Sequence, residues 1–209
     1  MKSQKTIKDS AKLSGKGLFS GQDVKVTFKP AQVNTGLVFI RTDLPEPTSI
    51  PAIAANIAER DRRTALKKGA VSLETPEHCL AAVHALGISN LIVEVQGAEF
   101  PGFDGSSEEY FKALKKAQVV EQDVEAKAIV IEEPITIASG DKTIYAVPAE
   151  TDGLEISYEL DYTEHTGIGK QLYSCKLSES HFEKNLATAR TFALEVEARA
   201  LQGHGLCTH

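Results

Sequence analysis

The sequence predicts an α+β fold of two similar modules, spanning 1–126 and 127–209, each a β-sheet with two helices. Three observations lead there. Period-two hydrophobic runs dominate the opening stretch, a helical period with start and stop signals follows, and the order of strands then helices restarts near residue 127. With 209 residues, 42% apolar and 25% charged, the chain is long enough to bury a core and has the composition of an ordinary globular protein.

Asp23–Pro30 (DVKVTFKP) alternates strictly, and Gly36–Arg41 (GLVFIR) is β-branched and aromatic. Val33-Asn34-Thr35-Gly36 between them predicts a hairpin. Pro45, Pro47 and Pro51 interrupt the next stretch, after which Arg63–Lys67 and Ala70–Leu73 read as a pair around Lys68-Gly69. The period then changes. Thr75 is placed as N-cap, Pro76 at the first helical position and Gly87 as the stop of a helix carrying HCLAAVHALG. Asn90–Val95 reads as a strand, Pro101–Ser107 as a loop, and Ser107–Gln118 as an amphipathic helix with Tyr110, Phe111 and Leu114 on one side. A polar stretch, Val120–Lys127, separates the modules. Strands are expected next at Ala128–Ile131, Ile135–Ala138, Thr143–Val147 and Leu154–Leu160, then helices at Glu179–Thr188 and Thr191–Gln202.

Twenty-three basic against 29 acidic residues leave a net charge of −6 with no block of like charge, which argues against nucleic acid as a partner. Cys79, Cys175 and Cys207 form no CxxC pair and leave an odd one over, as expected of reduced thiols. No apolar run approaches the ~20 residues of a membrane span, and the N-terminus lacks the apolar core of a signal peptide, so a cytoplasmic location is expected.

Glu77-His78 falls in the first turn of the predicted helix, where a carboxylate is favoured and a base and a metal ligand stand side by side. From these two residues alone, a helix-start Glu beside a partly exposed His is the simpler reading. His84, six residues on, is turned away from His78. In Phe103-Asp104-Gly105-Ser106-Ser107, Asp104 is suited to holding a neighbouring loop and Ser107 to capping a helix. Ser14–Gly21 lacks the spacing of a phosphate-binding loop and reads as a sheet-edge turn. Thr191 either caps the helix after it or presents a hydroxyl to an oxyanion. His204, Cys207 and His209 are metal-ligand types without the spacing of a zinc site.

The segments GKGLFSG (15–21), VTFKPAQVNTGLVFIRTDLP (26–45), ETPEHCLAAVHALGISNLIVEVQGAEFPGFDGSS (74–107) and ATARTFALEVEARALQGHGL (187–206) together resemble the UDP-3-O-acyl-N-acetylglucosamine deacetylases, zinc amidases of lipid A synthesis. The resemblance implies two sheet-plus-helix modules with the helices in a central layer. It also implies His78 as a zinc ligand, Glu77 as the general base, Thr191 as an oxyanion donor, and Phe192, Leu206 and Cys207 lining the substrate region. The implied partner is a UDP-sugar lipid. Phe19 stands where the family usually has His. The family's two further zinc ligands and its general-acid His match no position here, so the second module is expected to be incomplete and zinc binding and activity to be reduced. A downstream-encoded fragment would complete it, and a catalytically inactive homologue that binds a UDP-sugar lipid or a protein is the alternative.

Overall fold

The computed structural model describes residues 2–150, 152–164 and 167–203. Two strands that the sequence does not signal open the chain, β1 (Ser3–Ile7) and β2 (Ala11–Lys16). They precede β3 (Asp23–Pro30), whose alternation buries Val24, Val26 and Phe28 as expected. β4 (Leu37–Arg41) and β5 (Thr48–Pro51) follow, with Pro51 on an edge strand where a missing N–H is tolerated. β6 (Ile57–Ala58), β7 (Ala65–Lys68) and β8 (Val71–Glu74) form a small antiparallel sheet. Gly69, at φ +60°, turns β7 into β8 as the sequence predicts.

The first helix, α1 (Glu77–Ala85), leads into β9 (Leu91–Gln96), α2 (Glu108–Lys116) and β10 (Val119–Glu125). Gly87, at φ +67°, ends α1 as expected, its N–H donating to the His84 carbonyl. Thr75 does not cap α1. It is buried at φ +59° and Pro76 occupies the cap position, because the Thr75 N–H is taken by the Thr64 carbonyl and its hydroxyl points to Glu99.

The expected hairpin between β3 and β4 does not form. The principal sheet has the order β2-β3-β9-β4-β5, so β9 lies between them, antiparallel to β3 and parallel to β4. The 31–36 connection is long enough to cross a strand's width. Its polar groups are satisfied elsewhere, the Asn34 N–H by Gln4 and the Gly36 N–H by Asn90. The stretch expected as a polar separator is also a strand, since β10 pairs antiparallel with β1. Its polar side chains conceal it, because one face is solvated and Gln122 bonds inward to the Ala31 carbonyl.

The core beneath the principal sheet combines Val26, Phe28, Phe39, Leu91, Val93 and Val95 with Cys79, Ala82 and Val83 of α1 and Tyr110, Phe111 and Leu114 of α2. The amphipathic reading of α2 therefore holds residue for residue.

After Ala126 come two hairpins, β11 (Ile135–Ser139) with β12 (Lys142–Ala146), and β13 (Glu155–Tyr162) with β14 (Gly169–Lys176). Ala128–Ile131 is not a strand, and β14 has no counterpart in the sequence reading. A single helical turn, α3 (Glu179–His181), runs into a π-helical turn at Phe182–Leu186, and the last helix is α4 (Glu195–Gly203). The fold class is α+β, as predicted. The described residues form two compact units, one comprising those up to Ala126 together with 182–203, the other those within Lys127–His181. Among the described residues no helix is long and apolar enough to cross a membrane.

In Lys127–His181 none of the described residues is buried, and cross-strand partners such as Ile137 and Ile144 are 64% and 71% exposed. Amides of β11 to β14 are therefore expected to exchange with solvent well before those of β3 and β9, whose inward side chains are sealed. Equal protection in a hydrogen-exchange time course would contradict this.

Candidate active site

Glu77 and His78 open α1 and are both half-buried. The helix N-terminus favours the Glu77 carboxylate, whose Oε2 accepts the backbone N–H of Thr64 at 3.2 Å. Cys79, the next residue, is fully buried, and burial pushes its thiol well above the ordinary range, so it is an inert core group. Tyr110 of α2 donates its hydroxyl to the Pro101 carbonyl at 2.6 Å. Burial first, then the Cys79, Glu77 and Glu99 groups around it, raise its pKa far above that of an exposed phenol. It serves as a fixed donor that holds the 101–107 loop.

That loop receives the segment containing Thr191. The Gly105 carbonyl accepts the Thr191 N–H at 3.0 Å, and the Ala187 carbonyl accepts the Ser107 N–H at 3.1 Å. Asp104 accepts from the Ser106 N–H and hydroxyl, at 3.1 and 2.6 Å, and from Arg190 Nε at 3.1 Å. These contacts, the Ser106 hydroxyl foremost, hold its carboxyl below the usual carboxylate range. Asp104 thus holds a neighbouring segment, as its turn position suggests. Ser106, not Ser107, offers its hydroxyl to the first turn of α2, accepting the Glu108 N–H at 3.3 Å. Gly105, at φ +83°, adopts a left-handed backbone that L side chains rarely take, so the turn that seats Thr191 favours glycine.

Thr191 is not a helix cap. α4 begins four residues later, where the Glu197 carboxylate accepts the Leu194 N–H at 2.8 Å and fills the capping role. Freed from capping, Thr191 is exposed on the 101–107 loop, with Phe192 beside it, 53% exposed. The structure thus places Glu77 and His78 at one helix start and docks Thr191 on the loop that Tyr110 holds. Leu206 and Cys207, like His204 and His209, lie outside the described residues.

A catalytic zinc takes three protein ligands and a water. Among the described residues no group of three His, Cys, Asp or Glu side chains converges, so these residues do not fit a complete zinc centre.

Two groups that sequence reading missed surround the site. The buried Glu99 carboxylate accepts the Phe19 and Ser20 N–H groups at 2.8 and 2.9 Å and the Thr75 hydroxyl at 3.4 Å, tying the 17–21 turn to the approach to α1. Glu74 takes Arg60 Nε and Arg63 Nε, each at 3.1 Å. The one sequence signal for the first is Gly17, where a Cβ would lie 2.4 Å from Glu99 Oε2.

Residues 4–209 match the family model described as LpxC, UDP-3-O-acyl N-acetylglycosamine deacetylase. Similar curated relatives are UDP-3-O-acyl-N-acetylglucosamine deacetylases from Bdellovibrio bacteriovorus, 39% identical over 97% of this chain and 66% of the relative, and from Pseudomonas entomophila, 38% identical over 97% and 67%. A third, from Glaesserella parasuis, is 39% identical over the same shares as the second. The chain spans about two thirds of the length of these relatives. It belongs to the LpxC family of UDP-3-O-acyl N-acetylglycosamine deacetylases.

Proposed function

We propose that the chain acts in lipid A biosynthesis as a deacetylase, hydrolysing the acetamide of a UDP-3-O-acyl-N-acetylglucosamine to the free amine and acetate. The family match over nearly the whole chain carries this reading. The geometry supports roles for individual residues. Glu77, oriented by the Thr64 N–H, takes a proton from the water that adds to the acetamide carbonyl. Thr191, exposed and seated on Gly105, donates its hydroxyl to the oxyanion of the tetrahedral intermediate. The C–N bond then breaks as the leaving nitrogen takes the proton that Glu77 accepted from water, and the acid formed departs as acetate, its proton going to solvent. Phe192, with Leu206 and Cys207, is assigned to the lining of the acyl-chain path.

Zinc, which would polarise the carbonyl and acidify water, enters through the family resemblance alone, with His78 the residue carried over to it. A module boundary near residue 127 and a cytoplasmic location belong to the same reading. The test is to incubate the purified protein, with and without added zinc, with the UDP-sugar lipid, and to measure bound metal and released acetate. Acetate release above a protein-free control is the expected result. None at any zinc level would overturn the proposal.

A further inference from the structure

Asp-Gly occurs twice in the chain, at Asp104-Gly105 and Asp152-Gly153, and Asn-Gly does not occur. In this dipeptide the amide nitrogen of the glycine can attack the aspartyl Cγ and close a five-membered succinimide. Glycine favours the attack because it has no Cβ to crowd that nitrogen and leaves the backbone free to reach the required geometry. By sequence the two sites are equivalent. In the fold they are not.

At the first site both reacting groups are engaged. The Asp104 carboxylate accepts the Ser106 N–H and hydroxyl on Oδ1 and Arg190 Nε on Oδ2, while the Gly105 N–H donates to the Gly102 carbonyl at 2.9 Å. The Gly105 carbonyl is held too, by the Thr191 N–H. Closing a ring there means turning the carboxyl off Ser106 and Arg190 and breaking the bond to Gly102.

The second site lies just before β13, where Asp152 and Gly153 are both exposed and belong to no helix or strand. Among the described residues no hydrogen bond or ion pair holds the Asp152 carboxylate or the Gly153 N–H. Backbone pairing begins only with the Leu154 carbonyl, which accepts the Leu177 N–H at 2.8 Å. Gly153 stands at φ +122°, a region L side chains rarely adopt, so the turn itself calls for the residue that makes Asp152 reactive.

We propose that Asp152-Gly153 is a site of spontaneous isomerisation to isoaspartate, and that the contacts of Asp104-Gly105 protect it from the same reaction. The Gly153 nitrogen bonds to Asp152 Cγ and gives up its proton as a carboxyl oxygen leaves in a molecule of water. The succinimide is thus one water lighter than the chain. Water then adds to either ring carbonyl. Addition at Cγ restores aspartate. Addition at the main-chain carbonyl breaks the bond from that carbon to the Gly153 nitrogen, which regains a proton, and the backbone then runs through Cγ with one methylene more. Solvent water is the only co-reactant.

The test ages the full chain in neutral buffer, in one arm folded and in the other unfolded in urea. Isoaspartate is then read in peptides by fragmentation mass spectrometry, and by labelling with an isoaspartyl methyltransferase and S-adenosylmethionine. In the folded chain isoaspartate is expected to accumulate at Asp152 about tenfold or more faster than at Asp104, since an exposed turn samples reactive geometries without breaking the bonds that hold the other site. In urea the two rates should converge to within about threefold, as the folded contacts are lost. Asp152→Glu should abolish the product at this site, because the six-membered ring it would need closes far more slowly. No isoaspartate at Asp152, equal rates at the two sites in the folded chain, or a ratio unchanged by urea would each overturn the inference.

Discussion

Glu77→Gln is expected to lower acetate release by about 10²- to 10⁴-fold, the usual contribution of a positioned general base, while leaving the thermal transition nearly unmoved. The two effects separate because of how Glu77 is held. Its Oε2 accepts the Thr64 N–H, and a glutamine keeps a carbonyl oxygen that can accept the same bond. What is lost to stability is the charge at the start of α1, about 0.3–1 kcal/mol at a half-buried helix terminus. What is lost to chemistry is the only form of the side chain able to take a proton from water. Glu77→Ala, by contrast, removes the acceptor as well and should lower both activity and melting temperature. A Glu77→Gln protein that released acetate at the parent rate would remove Glu77 from the role of base.

The elements that support this site were legible to different depths. The alternation of β3 and the apolar side of α2 follow from local sequence, and burial agrees at Val24, Val26, Phe28, Tyr110, Phe111 and Leu114. The sheet order was not legible. A turn sequence such as Val33–Gly36 says that the chain reverses, not that its two arms pair, and here Gln4 and Asn90 capture the turn's N–H groups from distant positions. Thr75 and Thr191 both fit the pattern of a cap, and each was diverted by a single backbone bond, Thr75 to Thr64 and Thr191 to Gly105. Glu77 and His78 were conspicuous only as a motif, since a Glu at a helix start has an adequate local explanation. Glu99 was invisible for the opposite reason. Its backbone N–H partners lie about eighty positions earlier and its third partner, the Thr75 hydroxyl, 24 positions earlier, so no local pattern around Glu99 records them.

Those long-range polar contacts make the second large prediction, Asn90→Ala, one of stability. Asn90 is buried immediately before β9. Its Oδ1 accepts the Gly36 N–H at 2.9 Å, and its Nδ2 donates to Gln4 Oε1 and Gln122 Oε1, each at 2.7 Å. One side chain thus joins β1, β10 and the start of β4 to the strand at the centre of the principal sheet. Neither glutamine can rotate to compensate. Gln4 Nε2 is already given to Asn34 Oδ1 and the Glu125 carbonyl, and Gln122 Nε2 to the Ala31 carbonyl, so turning either amide breaks those bonds to mend the first. Removing Asn90 leaves the Gly36 N–H and Gln122 Oε1 short of a partner, while Gln4 Oε1 keeps the Asn34 N–H. At roughly 1–3 kcal/mol for each group stranded without one, and allowing for solvent entry at the half-buried Gly36 and Gln122, a loss of about 2 kcal/mol is expected, a large part of a typical domain's stability. Asn90→Asp should be no milder, because a carboxylate would face the two glutamine oxygens with no proton to offer. Lys16→Ala is the matched control. It deletes an exposed ion pair with Asp23, worth about 0–1 kcal/mol. In urea titrations the Asn90→Ala midpoint should fall far below that of Lys16→Ala at an unchanged slope. Equal midpoints would show that the amide cluster is an ornament of the fold and that apolar burial alone joins the N-terminal strand pair to the principal sheet.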